Sequence, residues 1–181
     1  NDRPLLRARV AAGLATLKAQ PGVTGDKIAA IGYCFGGTAV LELARSGADI
    51  AGVVSFHGGL DTPTSQDAKN IRAKVLALHG ADDPYVPADQ VAAFENEMRQ
   101  AGVDWQLIVY GGAVHGFTNP ANGTDNSKGA AYNALADASC WVAMQQFFTE
   151  LFAKRGCTKS LSVTAILPSA IKKPRRGGAF A

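Results

Sequence analysis

Residues 27–45 read KIAAIGYCFGGTAVLELAR. The first seven, Lys27–Tyr33, are short, apolar and carry two β-branched side chains, which predicts a buried strand. From Phe35 to Arg45 the apolar residues recur at helical spacing, and Gly47 supplies the left-handed residue that commonly ends a helix. Between strand and helix lies Gly32-Tyr33-Cys34-Phe35-Gly36-Gly37. This is a sharp turn of the G-x-nucleophile-x-G type with a thiol in the central place. Such a turn holds its central residue in strained backbone. The positions two before and two after are crowded by neighbouring backbone, so Gly32 and Gly36 are expected to be required. The turn presents Cys34 at a helix N-terminus, where the dipole favours a thiolate, and points the Phe35 N–H at a developing oxyanion. Taken alone, the turn is also compatible with a buried structural cysteine. The strand before it, the helix after it and partners downstream favour the nucleophile. Glycines at 32, 36 and 37 do not have the spacing of a dinucleotide phosphate loop.

Outward from this stretch, helix and strand alternate. Upstream, residues 3–18 place Leu6, Val10, Leu14 and Leu17 on one helical face with Asp2 as N-cap, and PGVTGD at 21–26 is turn chemistry. Downstream, Ala51–Phe56, Lys74–His79 and Asp104–Tyr110 read as strands. Residues 58–70 and 111–127 read as loops. A helix runs from about Pro87 to Gly102 and another from about Ala130 to Phe152. On the last helix, Ala134, Ala138, Trp141, Met144, Phe148 and Phe152 are expected to form a core stripe. No internal repeat interrupts the pattern. The expected class is α/β, a parallel sheet of about four strands flanked by helices. Ligands of such sheets gather beyond the carboxyl ends of the strands. Tyr33–Cys34, His57, His79–Asp83 and Gly111–His115 all fall there.

A thiol nucleophile needs a base, and the base an orienting carboxylate. The order nucleophile, acid, histidine is met by Cys34, Asp83 and His115, each after a different strand. His115 is the preferred base: it lies in a Gly-flanked, flexible loop, and Gly116 leaves room for a substrate. His57 and His79, at strand ends before glycines, are expected to be hydrogen-bonded structural residues. Asp83 is preferred to Asp82 because it directly precedes the Pro84-Tyr85-Val86-Pro87 turn. Tyr85 and Phe117 are candidate pocket walls, although turn packing explains them equally well. No HxH or HExxH spacing exists, so no metal is expected.

Composition narrows the function classes. The chain has 181 residues, 47% apolar and 18% charged, enough for one domain and too apolar for general disorder. No apolar run approaches the ~18–20 residues of a membrane span. The start lacks the apolar core of a signal peptide and does not begin with Met. Three cysteines (Cys34, Cys140, Cys157) without CxxC spacing suggest neither a disulfide framework nor a zinc site. A reducing, cytoplasmic setting is the default. The net charge of +3 arises at one end: seven of the 18 basic residues and none of the 15 acidic ones lie beyond residue 153. That leaves 11 basic against 15 acidic residues in positions 1–153, so a nucleic-acid partner is not expected. Residues 154–181 read as a basic, poorly ordered tail.

Three motifs in order, Gly-Tyr-Cys-Phe-Gly-Gly (32–37), His-Gly-x-x-Asp-x-x-Val-Pro (79–87) and His-Gly-Phe (115–117), resemble the dienelactone hydrolase (carboxymethylenebutenolidase) family. That family is a cysteine-nucleophile branch of the α/β-hydrolases. The resemblance covers residues 3–153. It implies the C-terminal portion of that fold, with the family's first strands, its second oxyanion donor and a glutamate near the nucleophile lying upstream of an N-terminally truncated chain. It further implies hydrolysis of a small ester or lactone through Cys34, His115 and Asp83, an acyl-thioester intermediate, and no cofactor. Where members that cleave dienelactone carry an arginine four residues after the histidine, this chain has Asn119. Two alternatives use the same residues: a thioesterase or carboxylesterase of the same fold, and a catalytically inert fragment or binding domain.

Overall fold

A computed structural model describes residues 2–23 and 28–153. Thr24–Lys27, and with them part of the expected 21–26 turn and the first residue of the expected first strand, lie outside the described residues, as does the expected basic tail. The element order is α1 (Arg3–Lys18), β1 (Ala29–Tyr33), α2 (Phe35–Arg45), β2 (Gly52–Phe56), β3 (Lys74–Gly80), α3 (Ala88–Ala101), β4 (Trp105–Tyr110) and α4 (Ala134–Phe152). Short 3-10 turns occupy Ser65–Asn70, Pro120–Asn122 and Asn126–Lys128. All four strands are parallel, in the order β1-β2-β3-β4.

Period two in the strands divides the core between the sheet's two faces. Val53, Val75 and Ala77 meet Val40, Leu41, Leu43 and Ala44 of α2 and Phe94 and Met98 of α3. Val54, Phe56, Leu76 and Leu78 meet Ala136, Cys140, Met144 and Phe147 of α4. Strand β2 is buried at every residue, because helices cover both faces and strands flank both edges. Strand β1 lies at an edge, so Ile31 is 44% exposed where a buried strand is expected.

The helix ends follow their capping chemistry. The Asp2 side chain accepts from the Leu5 N–H at 2.9 Å, and Gly102 closes α3 at φ 67°. Helix α4 starts at residue 134 rather than 130. Ala130 pairs with His115, and the Asn133 side chain accepts from the Ala136 N–H. The α4 stripe also differs from expectation. Its buried face runs through Ala136, Cys140, Met144 and Phe147, at steps of three and four, so Cys140 is core. Trp141, one residue round the helix from Cys140, is 49% exposed. On α1, Val10 and Leu14 pack on the core, whereas Leu17 is 44% exposed. No helix among the described residues is long and apolar enough to cross a membrane.

Candidate active site

The parallel register brings four loops together at one edge of the sheet. Tyr33 is paired with Phe56 and Phe56 with Leu78, so Cys34 and His57 follow adjacent strand ends. Asp83 follows β3, and His115 follows β4.

Cys34 is the N-cap of α2 at φ 50°, ψ −120°. A non-glycine residue held there carries roughly 1–3 kcal/mol of strain. The crowding behind it differs from expectation at one glycine. A Cβ on Gly32 would run into the Gly36 backbone, and one on Gly37 would sit 2.5 Å from Ser55 Oγ and 2.9 Å from Gly58 Cα. A Cβ on Gly36 meets nothing within 4 Å. Gly36 contributes its carbonyl to the squeeze, and the glycine without room on the helix side is Gly37. Gly32→Ala and Gly37→Ala are therefore expected to lower stability by about 1–3 kcal/mol or more. Gly36→Ala should leave it unchanged or raise it by up to ~1 kcal/mol, as alanine is the better helix former. Thermal melts of the three variants check the ranking.

His115 Nδ1 donates to Asp83 Oδ2 at 2.9 Å, and Asp83 Oδ1 accepts from the Tyr85 N–H at 2.9 Å. Burial alone would raise the Asp83 carboxyl. The hydrogen bonds from His115 and Tyr85, with the nearby imidazoles, outweigh it and hold the group below the usual carboxylate range. Asp82 is exposed beside it. The loop carrying His115 is tied down rather than flexible. The His115 N–H donates to the Gly129 carbonyl at 3.2 Å, and the His115 carbonyl accepts from Ala131 at 3.2 Å. Gly116 has φ 63°, and Asn122 Nδ2 fills the space where a side chain would stand.

His57 lies inside the site, which its sequence position does not announce. It is 2% exposed and strained at φ 38°. Its Nδ1 lies 3.4 Å from Cys34 Sγ and 3.3 Å from the Cys34 backbone nitrogen, and its Nε2 lies 2.9 Å from Thr118 Oγ1. Since the Cys34 N–H points at Nδ1, that nitrogen carries the lone pair and Nε2–H donates to Thr118. Burial, reinforced by neighbouring His115, pushes His57 down to about 4, so it is neutral at physiological pH. One ligand atom each from Cys34, His57 and His115 falls within a 4.8 Å cluster. A search for metal-ligand spacing along the sequence misses this set because three separate loops supply it. His79 is buried, and its Nδ1 has no hydrogen-bond partner among the described residues, contrary to the expected hydrogen-bonded role.

The thiol opens on a cleft of ≈ 490 Å³ lined by Tyr33, Cys34, His57, Thr118, Asn119, Asp137 and Trp141. Tyr85 stands 61% exposed with its ring edge-on to His115 at 5.3 Å. Phe117 does not face the cleft. It is fully buried, edge-on to His57 at 4.9 Å, and supports that ring from behind. The Phe35 N–H, first of α2, has no intrahelical acceptor.

Burial, and secondarily the Asp83 charge, push the Cys34 thiol above its ordinary value despite the helix terminus. Both causes act against the thiolate that the dipole argument favours. Alkylation of Cys34 by iodoacetamide is accordingly expected to rise about tenfold per pH unit from pH 7 to ~8.5. Cys140, buried and pushed up to about 12, stays unlabelled in the folded protein. A rate independent of pH across that window would mean a preformed thiolate.

Residues 3–152 match the family model described as the dienelactone hydrolase family. An uncharacterized Caenorhabditis elegans protein is 35% identical over 150 residues, covering 82% of this chain and 95% of that protein. A solved dienelactone hydrolase-like promiscuous phosphotriesterase from metagenomic libraries is 49% identical with a TM-score of 0.78, over 83% of this chain and 63% of its own. The solved structure of m3DLH is 48% identical with a TM-score of 0.79, over 84% and 63%. The chain also spans 57% of the length of matched Bradyrhizobium and Synechocystis relatives.

Proposed function

The chain belongs to the dienelactone hydrolase family, and on that premise we propose that it hydrolyses small esters or lactones with Cys34 as nucleophile, His115 as base and Asp83 as the group that orients His115. The observation that carries the reading is the Asp83–His115 hydrogen bond of 2.9 Å. It occupies one imidazole nitrogen and leaves the other for the thiol, whose sulfur belongs to the same 4.8 Å cluster. In this scheme Cys34 gives its proton to His115 and attacks the substrate carbonyl carbon. The oxyanion is received by the Phe35 N–H. Collapse expels the alcohol or enolate, which takes the proton back from His115 and leaves an acyl thioester on Cys34. His115 then takes a proton from water, the hydroxide attacks the thioester, and the acid departs as the thiol is restored. The resting contact of the thiol with His57 must break before the first step, so a sulfur swing toward His115 is part of the proposal. A free thiol nucleophile suits a reducing, cytoplasmic setting.

The cleft also bears on substrate charge. Its described lining carries the Asp137 carboxylate and Asn119 but no lysine or arginine. A neutral substrate fits this better than a carboxylate-bearing one. A neutral aryl ester is expected to show a kcat/KM about tenfold above an isosteric ester with a carboxylate on its acyl chain. Asp137→Asn should narrow that gap, and an anionic preference would reject this substrate class.

The mechanism itself is tested by rapid quenching during turnover of a 4-nitrophenyl ester. Mass spectrometry should find the acyl group on the Cys34 peptide. A phosphotriester deserves the same assay, because the 49%-identical relative is described as a promiscuous phosphotriesterase. Matched oxygen and thioester substrates separate the esterase from the thioesterase alternative.

A further inference from the structure

We propose that Cys34, His57 and His115 form a three-ligand site for a soft divalent cation of the zinc class, with its fourth position open to the cleft. The three donors, one thiol and two imidazoles, are the types zinc prefers. Their ligand atoms all lie within 4.8 Å of one another. A tetrahedral ion with Zn–S of about 2.3 Å and Zn–N of about 2.0–2.1 Å separates its sulfur and nitrogen ligands by roughly 3.5 Å. The Cys34 Sγ to His57 Nδ1 distance is 3.4 Å.

The surroundings match a built site as well as the donors do. Metal-binding histidines generally use their second ring nitrogen to hold a hydrogen bond that fixes ring and tautomer. Both do so here, His115 through Asp83 at 2.9 Å and His57 through Thr118 at 2.9 Å. The His57 tautomer, fixed by the Cys34 N–H at Nδ1, places the lone pair of Nδ1 on the side of the sulfur. Capture of that lone pair does not orphan the Cys34 N–H, which keeps the Phe56 carbonyl at 3.0 Å. Phe117 packs edge-on to the His57 ring and holds it in place. Two of the three ligands, Cys34 and His57, line the cleft walled by Tyr33, Asn119 and Trp141, from which water would complete the shell.

Binding involves no redox step. The Cys34 S–H bond breaks, its proton goes to solvent, and a sulfur–metal bond forms. A chelator reverses it. The same lone pairs serve the hydrolysis proposed above, so on that reading metal occupancy and ester cleavage exclude each other.

Anaerobic titration of the reduced protein with Co²⁺ tests the site independently of activity. One equivalent is expected to produce a thiolate-to-cobalt charge-transfer band together with the visible bands of tetrahedral cobalt, and Zn²⁺ should displace both. Cys34→Ser should lose the charge-transfer band, whereas Cys140→Ser should keep it. His57→Gln should weaken Co²⁺ binding at least tenfold. Thr118→Val, which removes no ligand and preserves shape, should weaken it about 10–100-fold. Zn²⁺ should protect Cys34 from iodoacetamide. Absence of the charge-transfer band, or an affinity indifferent to both His57→Gln and Thr118→Val, overturns the proposal. A band in a protein that cleaves no ester leaves the metal site standing and removes the hydrolase reading. An active esterase that shows no band does the reverse.

Discussion

Cys34→Ala is expected to lower hydrolysis of an activated ester by a factor on the order of 10⁴–10⁶, the range seen when the nucleophile of a triad is removed. The residual rate would come from binding and from the Phe35 N–H. The variant keeps the turn, because alanine at φ 50° carries the same backbone strain as cysteine. Unfolding therefore cannot explain the loss, and an unchanged melting temperature is part of the expected result. Cys34→Gly supplies the counterpart. It should be equally inactive yet more stable by about 1–2 kcal/mol, since glycine occupies positive φ without strain. A Cys34→Ala protein that retains its rate would remove the proposed chemistry. A Cys34→Gly protein that gains no stability would mean the turn stores no strain at residue 34.

Parts of the site with a local signature are legible in the sequence. The elbow is written in six consecutive residues, because the sterics of a strand-to-helix turn act over that range. Asp83 is marked by the turn it starts, and the structure buries it against His115 while leaving Asp82 exposed. What depends on spatial neighbours is not legible. His57 precedes a glycine at a strand end, as His79 does, yet only His57 touches the thiol. The parallel β1–β2 register decides this by bringing residue 57 beside residue 34. Trp141 illustrates the same limit on α4. Three- and four-residue steps admit two overlapping stripes, and the choice between them depends on which side of the helix meets β2 and β3. Phe117 errs the other way: a motif position close to His115 suggests a wall, but its ring fills the layer behind His57.

The largest stability effect is expected at a residue that no motif marks. Arg45, in the last turn of α2, is completely buried. Its Nε and Nη2 donate to the two Glu97 carboxylate oxygens at 2.9 and 2.7 Å, and Nη1 donates to Glu42 at 2.9 Å. Nη2 also donates to the Leu60 carbonyl at 3.0 Å, which ties the loop after β2 to α2 and α3. Glu42, equally buried, shares its other oxygen with Arg7 of α1 at 2.8 Å. The cluster thus joins three helices on the face of the sheet opposite α4, and each charge inside it depends on its partners. Arg45→Met removes the guanidinium and strands Glu97, a buried carboxylate, without its bidentate partner. Loss of one member of a buried ion pair costs about 3–5 kcal/mol. Arg45→Met should therefore lower the stability of the chain by that amount in urea unfolding. The double variant Arg45→Met/Glu97→Leu tests the cause, since it removes the stranded charge with its partner. Buried pairs replaced by apolar residues of similar volume are often neutral, so the double variant should recover most of the loss. Glu42 still keeps Arg7 in that background, which confines the difference between the variants to Glu97. If the double variant is as unstable as the single one, the cost lies in the lost Leu60 carbonyl contact and packing, not in the unpaired carboxylate.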